Sequence, residues 1–226
     1  MIIFIVNIDT KLFTTIDKTA IWHQLSKKGL LIMAGGFTEK ERVEIRQRLL
    51  DTGYKLSTET GIKRMTIAAV AEKSGVSVGT FYNFFGSKEE FVVAMIRDTE
   101  VKYEKEMASH FSKEGTIALR KFLEVLRGNF KPETNFLLRL KLDDWVWLKS
   151  HISDSAYLNT DNDLKKYEYM FTKIKGIRKD ADPGVVVNFI KSIYALYQNR
   201  DTLFEESLQT NVDLIFDAIH RYLKEG

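Results

Sequence analysis

Between Thr38 and Gly86 the sequence is punctuated in a way that leaves the backbone few choices. Four hydroxyl residues, Thr38, Thr66, Ser77 and Ser87, each stand before an apolar run of helical period, and Gly61, Gly75 and Gly86 close three of those runs. A Ser or Thr at an N-cap accepts from the unpaired N–H groups of the first turn, and glycine adopts the left-handed conformation that ends a helix. Thr38-x-x-Glu41, with Phe37 ahead of it as a hydrophobic staple, and Ser87-x-x-Glu90 are both capping boxes. The pattern predicts a helix from Thr38 to Gly61 with Ile45, Leu49, Leu50 and Leu56 inward. A short helix with Ile67, Val70 and Ala71 inward follows, ending at Gly75. Another runs from Ser77 to about Phe85, and a long one from Ser87 to about Phe111 carries Phe91, Met95 and Tyr103. Gly53 lies inside the first helix, where glycine costs about 1 kcal/mol relative to alanine.

The remainder continues in the same style. Helices are expected at about 115–130, 133–151, 157–175, 183–199 and 203–224, with Pro132 and Asp182-Pro183 suited to helix starts and the Lys-rich stretch 173–179 reading as a loop. No stretch of useful length after residue 37 alternates as a strand does, and there is no internal repeat. With 226 residues, 44% of them apolar, the chain has enough material for a core without staples. It contains no cysteine, which excludes disulfides, thiolate metal sites and cysteine catalysis. The expected fold class is all-α.

Residues 1–37 differ from the rest. They show no sustained helical period, and two readings stand side by side: an N-terminal extension with a short strand at Ile2–Val6, or an over-long reading frame with Met33 as the initiating residue. Lys27-Lys28-Gly29 requires a purine-rich codon run shortly ahead of Met33, as a bacterial ribosome-binding site has. Met1 to Val6 has no basic stretch before it and no small-residue cleavage site after it, which argues against a signal peptide. No apolar run reaches the length of a membrane span, so a cytoplasmic protein without a membrane partner is expected.

Thr66 to Phe85 has the form of a helix-turn-helix: two short helices joined by a tight turn at Ser74-Gly75-Val76. Ile67, Val70, Ala71, Val76, Phe81 and Phe85 form one small core, too small to stand without the helix at 38–58 behind it. The second helix then turns Ser77, Val78, Gly79, Thr80, Tyr82 and Asn83 outward. Hydroxyls at Thr80 and Tyr82 suit phosphate oxygens, and Gly79 lets the backbone approach closely. Lys88, in the first turn of the next helix, adds a positive charge to an end that already favours anions. The run Thr66-Ile67-Ala68-Ala69-Val70-Ala71-Glu72-Lys73-Ser74-Gly75-Val76-Ser77-Val78-Gly79-Thr80-Phe81-Tyr82-Asn83-Phe84-Phe85-Gly86-Ser87-Lys88-Glu89-Glu90-Phe91 resembles the DNA-binding domain of the TetR family of bacterial transcription regulators. The first helix departs from that pattern, with Thr52-Gly53 where the family has a small alanine pair and Ser57 where it has phenylalanine.

The resemblance implies three segments: 1–37 as an extension, 38–88 as a three-helix DNA-binding domain with its helix-turn-helix at about 66–85, and 89–226 as a helical effector-binding and dimerisation domain. The charge distribution agrees. Residues 38–88 hold nine Lys and Arg against six Asp and Glu, whereas 89–226 hold slightly more acid than base. The candidate DNA-binding residues are Thr66, Ser77, Val78, Gly79, Thr80, Tyr82, Asn83 and Lys88. Candidate effector-binding residues are Tyr103, Phe136, Trp145, Trp147, His151, Tyr167 and Met170, an aromatic wall with the Asp143-Asp144 carboxylates close by. The helical stripes Val186, Phe189, Ile190, Ile193, Tyr197 and Leu208, Val212, Ile215, Ile219 suit a four-helix dimer interface.

Other chemistries fit poorly. Gly79 and Gly86 are too far apart for a phosphate loop. Asp161-Asn162-Asp163 lacks the glycine and glutamate that complete a calcium loop. Asp213, Asp217 and His220 share a helix face but read as a solvated polar surface. No enzyme, metal site or cofactor is expected. The reading is a homodimeric repressor that binds a palindromic double-stranded operator and is released by a small molecule. The alternative is an architectural or interaction protein that binds DNA without an effector.

Overall fold

The computed structural model describes residues 37–152 and 160–224. The segment before Phe37, including the strand expected at Ile2–Val6 and the start expected at Met33, lies outside the described residues. Among those described, nine α-helices carry almost all of the regular structure: α1 Glu39–Thr60, α2 Ile67–Lys73, α3 Val78–Tyr82, α4 Lys88–Ala108, α5 Leu119–Gly128, α6 Leu142–His151, α7 Thr160–Phe171, α8 Pro183–Gln198 and α9 Leu208–Leu223. None of them is long and apolar enough to cross a membrane.

The head consists of α1, α2, α3 and the first turns of α4. Its caps form as the sequence predicts. Glu41 N–H donates to Thr38 Oγ1 (3.3 Å) while Thr38 N–H donates to the Glu41 carboxylate (2.8 Å). At α4, Glu90 N–H donates to Ser87 Oγ, and the Glu90 carboxylate reaches one residue further back, to Gly86 N–H (2.8 Å). The core is aromatic. Phe81 is fully buried, with ring centroids 5.5 Å from Phe85 and 5.2 Å from Phe91, and Phe85 meets Phe91 at 4.9 Å.

Gly53 makes room for this cluster. A Cβ there would lie 2.6 Å from Phe91 Cζ and 2.8 Å from Met95 Sδ, both on side chains with no exposed surface. Gly53→Ala therefore gains helix propensity but overpacks α1 against α4. The expected balance is a loss of about 1–2 kcal/mol, read as a lower urea midpoint at unchanged slope. The neighbouring departures from the family pattern are also filled locally: Thr52 Oγ1 accepts from Ser74 Oγ (2.9 Å), and Ser57 Oγ donates to the Tyr54 carbonyl (2.8 Å).

α4 is 21 residues long and passes from the head into the body. There α8 packs against α7 and α9, α9 packs on α5, and α5 on α4. Two short pairings fasten the body. Ile117 and Ala118 run parallel to Ile174 and Lys175, and Ile177 bridges to Lys224 while Arg178 N–H donates to Leu223 O (2.9 Å). Two residues are too few to show alternation, so these strands leave no trace in the sequence pattern.

One further expectation is corrected. The helix expected over 133–151 is broken into a 3-10 turn, Phe136–Arg139, and α6. Asn135 is fully buried; its side chain accepts from Leu137 N–H and donates to Asn129 O. The Arg200 guanidinium takes the carbonyls of Leu138, Arg139 and Leu140 at 3.0, 2.7 and 3.4 Å, so these acceptors are lost to a continuous helix. The residues of the expected dimer stripes have partners within the chain. Val186, Ile190, Ile193, Tyr197, Leu208, Val212 and Ile219 are all buried inside the chain, and Phe189 and Ile215 are half-buried against the same core. The cause is the sandwiching of α8 between α7 and α9, which supplies in-chain partners for both stripes.

Candidate nucleic-acid interface

The local sequence sets the pose of α3. Thr66 Oγ1 caps α2 by accepting from Ala69 N–H (3.2 Å). Gly75, at φ +68°, turns the chain, and Val76 N–H closes the turn on Ala71 O (3.0 Å). Ser77 Oγ accepts from Thr80 N–H (3.0 Å) and shares a hydrogen bond with Thr80 Oγ1 (2.9 Å). Phe81 anchors the inner side, so the remaining residues of the helix face away from the core. Val78 and Tyr82 are 43% and 52% exposed, large values for an apolar and an aromatic side chain; Ser77, Gly79 and Asn83 are also exposed, and Thr80 is half-buried. A Cβ on Gly79 would meet only Ser77 Oγ, at 3.7 Å. Ser77, Val78, Gly79, Tyr82 and Asn83 are thus exposed on and around α3, as the sequence predicts, and Thr66 is exposed at the start of α2.

Lys88 is placed otherwise than expected. Its ammonium donates to Lys63 O (2.9 Å) and lies 4.7 Å from the centre of the Trp147 ring. Burial pushes its pKa down, against the pull of Glu89 and Asp144. The side chain therefore links the head to α6, and a phosphate contact requires it to leave these partners. Two arginines that periodicity does not single out flank the end of α3: Arg42 over the Phe84 ring (5.1 Å) and Arg46 over Phe85 (5.5 Å).

The joint between head and body is held by Asp144, which the sequence reading placed beside an effector. Its carboxylate is 4% exposed; Oδ1 accepts from Lys63 N–H (2.8 Å) and Oδ2 from Lys141 N–H (3.3 Å). The loop that receives it turns at Gly61, φ +80°, where a Cβ would sit 2.7 Å from both carboxylate oxygens. Lys63 Nζ also pairs with Asp143 (3.4 Å) and Arg139 donates to Thr58 Oγ1 (3.3 Å).

The seven candidate effector residues divide between the buried core and the surface. Tyr103 and Phe136 line a cavity of about 610 Å³ between α1, α4 and the segment after α5. Trp145 packs edge-on to Tyr194 (6.1 Å), and Tyr167 and Met170 are fully buried. Trp147 and His151 stack on each other at 4.5 Å near the surface, next to Lys88. Asp213 is held by Arg127 (2.6 Å), and among the described residues no three His, Cys, Asp or Glu side chains gather as a metal site.

Known proteins agree with this geometry. The sequence profile described as bacterial regulatory proteins, tetR family, matches residues 49–95, which cover the end of α1 through the first turns of α4. The chain is 26% identical over 128 residues to the HTH-type transcriptional repressor AcnR of Corynebacterium efficiens, covering 57% of this chain and 58% of that protein. It is 40% identical over 63 residues to the HTH-type transcriptional repressor KstR of Rhodococcus jostii, covering 27% and 28%. The alignments thus span little more than half of the first relative and about a quarter of the second. In fold, it resembles a crystallised TetR-family transcriptional regulator from Rhodococcus sp., with a TM-score of 0.56 at 16% identity over 80% of this chain and 100% of that one. The signature lies on the three packed helices of the head, and over residues 49–95 the chain is similar to the tetR family of bacterial regulatory proteins.

Proposed function

We propose that this chain is a transcriptional repressor that binds a pseudo-palindromic operator as a pair of identical subunits and is released by a small molecule acting on the body. The observation that carries the reading is α3 itself: five residues pinned through Phe81, with Val78, Gly79 and Tyr82 open to solvent and nothing of the described chain over them. Two such heads related by a two-fold axis read half-sites about 34–36 Å apart, or a multiple of that spacing. Tyr82, Asn83 and Thr80 set position through phosphates, and Val78 touches thymine methyl groups.

Self-association falls to the surface that α8 and α9 leave outward. Leu203, Phe204 and Leu214 are exposed there, with Phe189, Leu196 and Ile215 half-buried. Phe204, at 79% exposed, is the largest apolar side chain so placed. The competing reading, DNA binding without an effector, is favoured by a sealed body; the cavity at Tyr103 and Phe136 counts against it.

Selection of bound duplexes from random oligomers by the full chain tests the proposal. Enrichment of inverted repeats with the stated spacing is the expected result. Recovery of single, unrepeated sites overturns the paired reading, and recovery of no preferred sequence overturns the regulator itself.

A further inference from the structure

From Ser74 to Ser87 the sequence has no basic residue, so Lys88 is the first cation that follows α3. It is half-exposed, yet its ammonium is spent on partners that do not answer its charge: the Lys63 carbonyl at 2.9 Å and the Trp147 ring at 4.7 Å. Among the described residues no carboxylate forms an ion pair with it. Asp144 is taken by the Lys63 and Lys141 amides, and Asp143 by Lys63 Nζ. Glu89 and Asp144 draw on the charge only from farther off, and burial opposes them. A partly desolvated cation without a counter-ion is held weakly, because the lost hydration is not replaced by an opposite charge.

The ring that receives Lys88 is itself braced. Trp147 stacks on His151, with centroids 4.5 Å apart and planes 15° apart. His151 Nδ1 in turn lies 3.0 Å from the Trp147 carbonyl and 2.8 Å from Ser150 Oγ. The joint does not depend on this contact for its hold. The Asp144 carboxylate, the Lys63–Asp143 pair and the bond from Arg139 to Thr58 already fasten head to body. What Trp147 adds is a grip on the one cation that stands directly after the exposed face of α3.

We propose that Trp147 is an autoinhibitory latch: its ring holds the Lys88 ammonium against α6 in the free protein and competes for it with a phosphate of the operator. The latch rests on the repressor reading above. A phosphate supplies the negative charge that the joint withholds, so operator binding draws Lys88 off the ring. The coupling runs both ways by linkage. A movement of α6 that presses Trp147 towards α4 weakens operator binding, and a bound operator loosens α6 from the head.

The full chain, titrated at several salt concentrations with a labelled operator selected as above, tests the latch. Trp147→Leu is expected to tighten binding about threefold to tenfold, and Trp147→Phe, a weaker acceptor for a cation, about twofold. Lys88→Ala is expected to weaken binding and to lower the salt slope by about 0.9, the share of one phosphate contact. In the Lys88→Ala background, Trp147→Leu should change nothing, because the two residues act as one pair. Thermal melting identifies the folded variants; should Trp147→Leu fail to fold, Trp147→Phe decides alone. Unchanged or weaker binding in a folded Trp147 variant overturns the latch, as does a tightening that persists without Lys88. An unchanged salt slope in Lys88→Ala overturns it as well, since Lys88 then never reaches phosphate. Wild-type protein that selects no duplex overturns the repressor reading and the latch with it, whereas each of the other failures leaves the repressor standing.

Discussion

Under the proposed function, Gly79→Asp is expected to weaken operator binding by two to three orders of magnitude and to leave thermal unfolding in place. The position is exposed on α3, and a side chain there meets nothing closer than Ser77 Oγ at 3.7 Å. Aspartate in the first turn also suits the positive end of a helix, so the fold has no reason to object. The DNA does. A carboxylate set against the phosphate backbone costs several kcal/mol, which lowers affinity by about 100-fold to 1000-fold. Fluorescence anisotropy of a labelled operator selected as above measures this, with circular dichroism melting as the control. Near-normal affinity in a folded Gly79→Asp protein would remove α3 from the groove.

Asp144→Ala is expected to be the most damaging single change at the joint between head and body. It strips two backbone donors, Lys63 N–H and Lys141 N–H, of a buried charged acceptor. Each unpaired donor costs about 1–3 kcal/mol, giving a loss of about 3 kcal/mol, visible as a lower urea midpoint. Gly61→Ala should approach that loss by the reverse route. It forces a side chain into left-handed backbone and into the carboxylate at 2.7 Å. Combining the two changes isolates the contact: with Asp144 gone, alanine at 61 retains only its backbone strain, so the double variant is less damaged than the sum. Strict additivity would mean that the carboxylate and the turn at Gly61 act independently.

The head was legible because its instructions are local. Thr38, Thr66, Ser77 and Ser87 sit within a few residues of the N–H groups they accept from, and Gly75 turns the chain where it stands. The body was legible in its periods but not in its partners. The stripe from Val186 to Tyr197 announces a buried face, and nothing in its spacing distinguishes α7 and α9 from a second copy. The break before α6 comes from Arg200, some sixty residues away, and no local pattern signals it. Asp144 and Lys88 have partners that no local pattern signals, for a related reason. The loop amide and carbonyl that hold them lie 81 and 25 residues away and meet them only in the assembled joint. Of the aromatic residues grouped as an effector wall, Tyr103 and Phe136 reach the cavity because α4 and the 3-10 turn face each other. The tryptophans occupy α6, which serves the joint instead.

The clasp at Ile177 and Lys224 bears on how the molecule is made. Residues 39–91 contain everything the aromatic cluster around Phe81 needs, so that cluster can close while later residues are still being synthesised. The body has no such freedom: Arg178 waits for Leu223, and α5 waits for α9. On the ribosome, therefore, the head can finish folding while the body stays incomplete until residue 224 has cleared the exit tunnel.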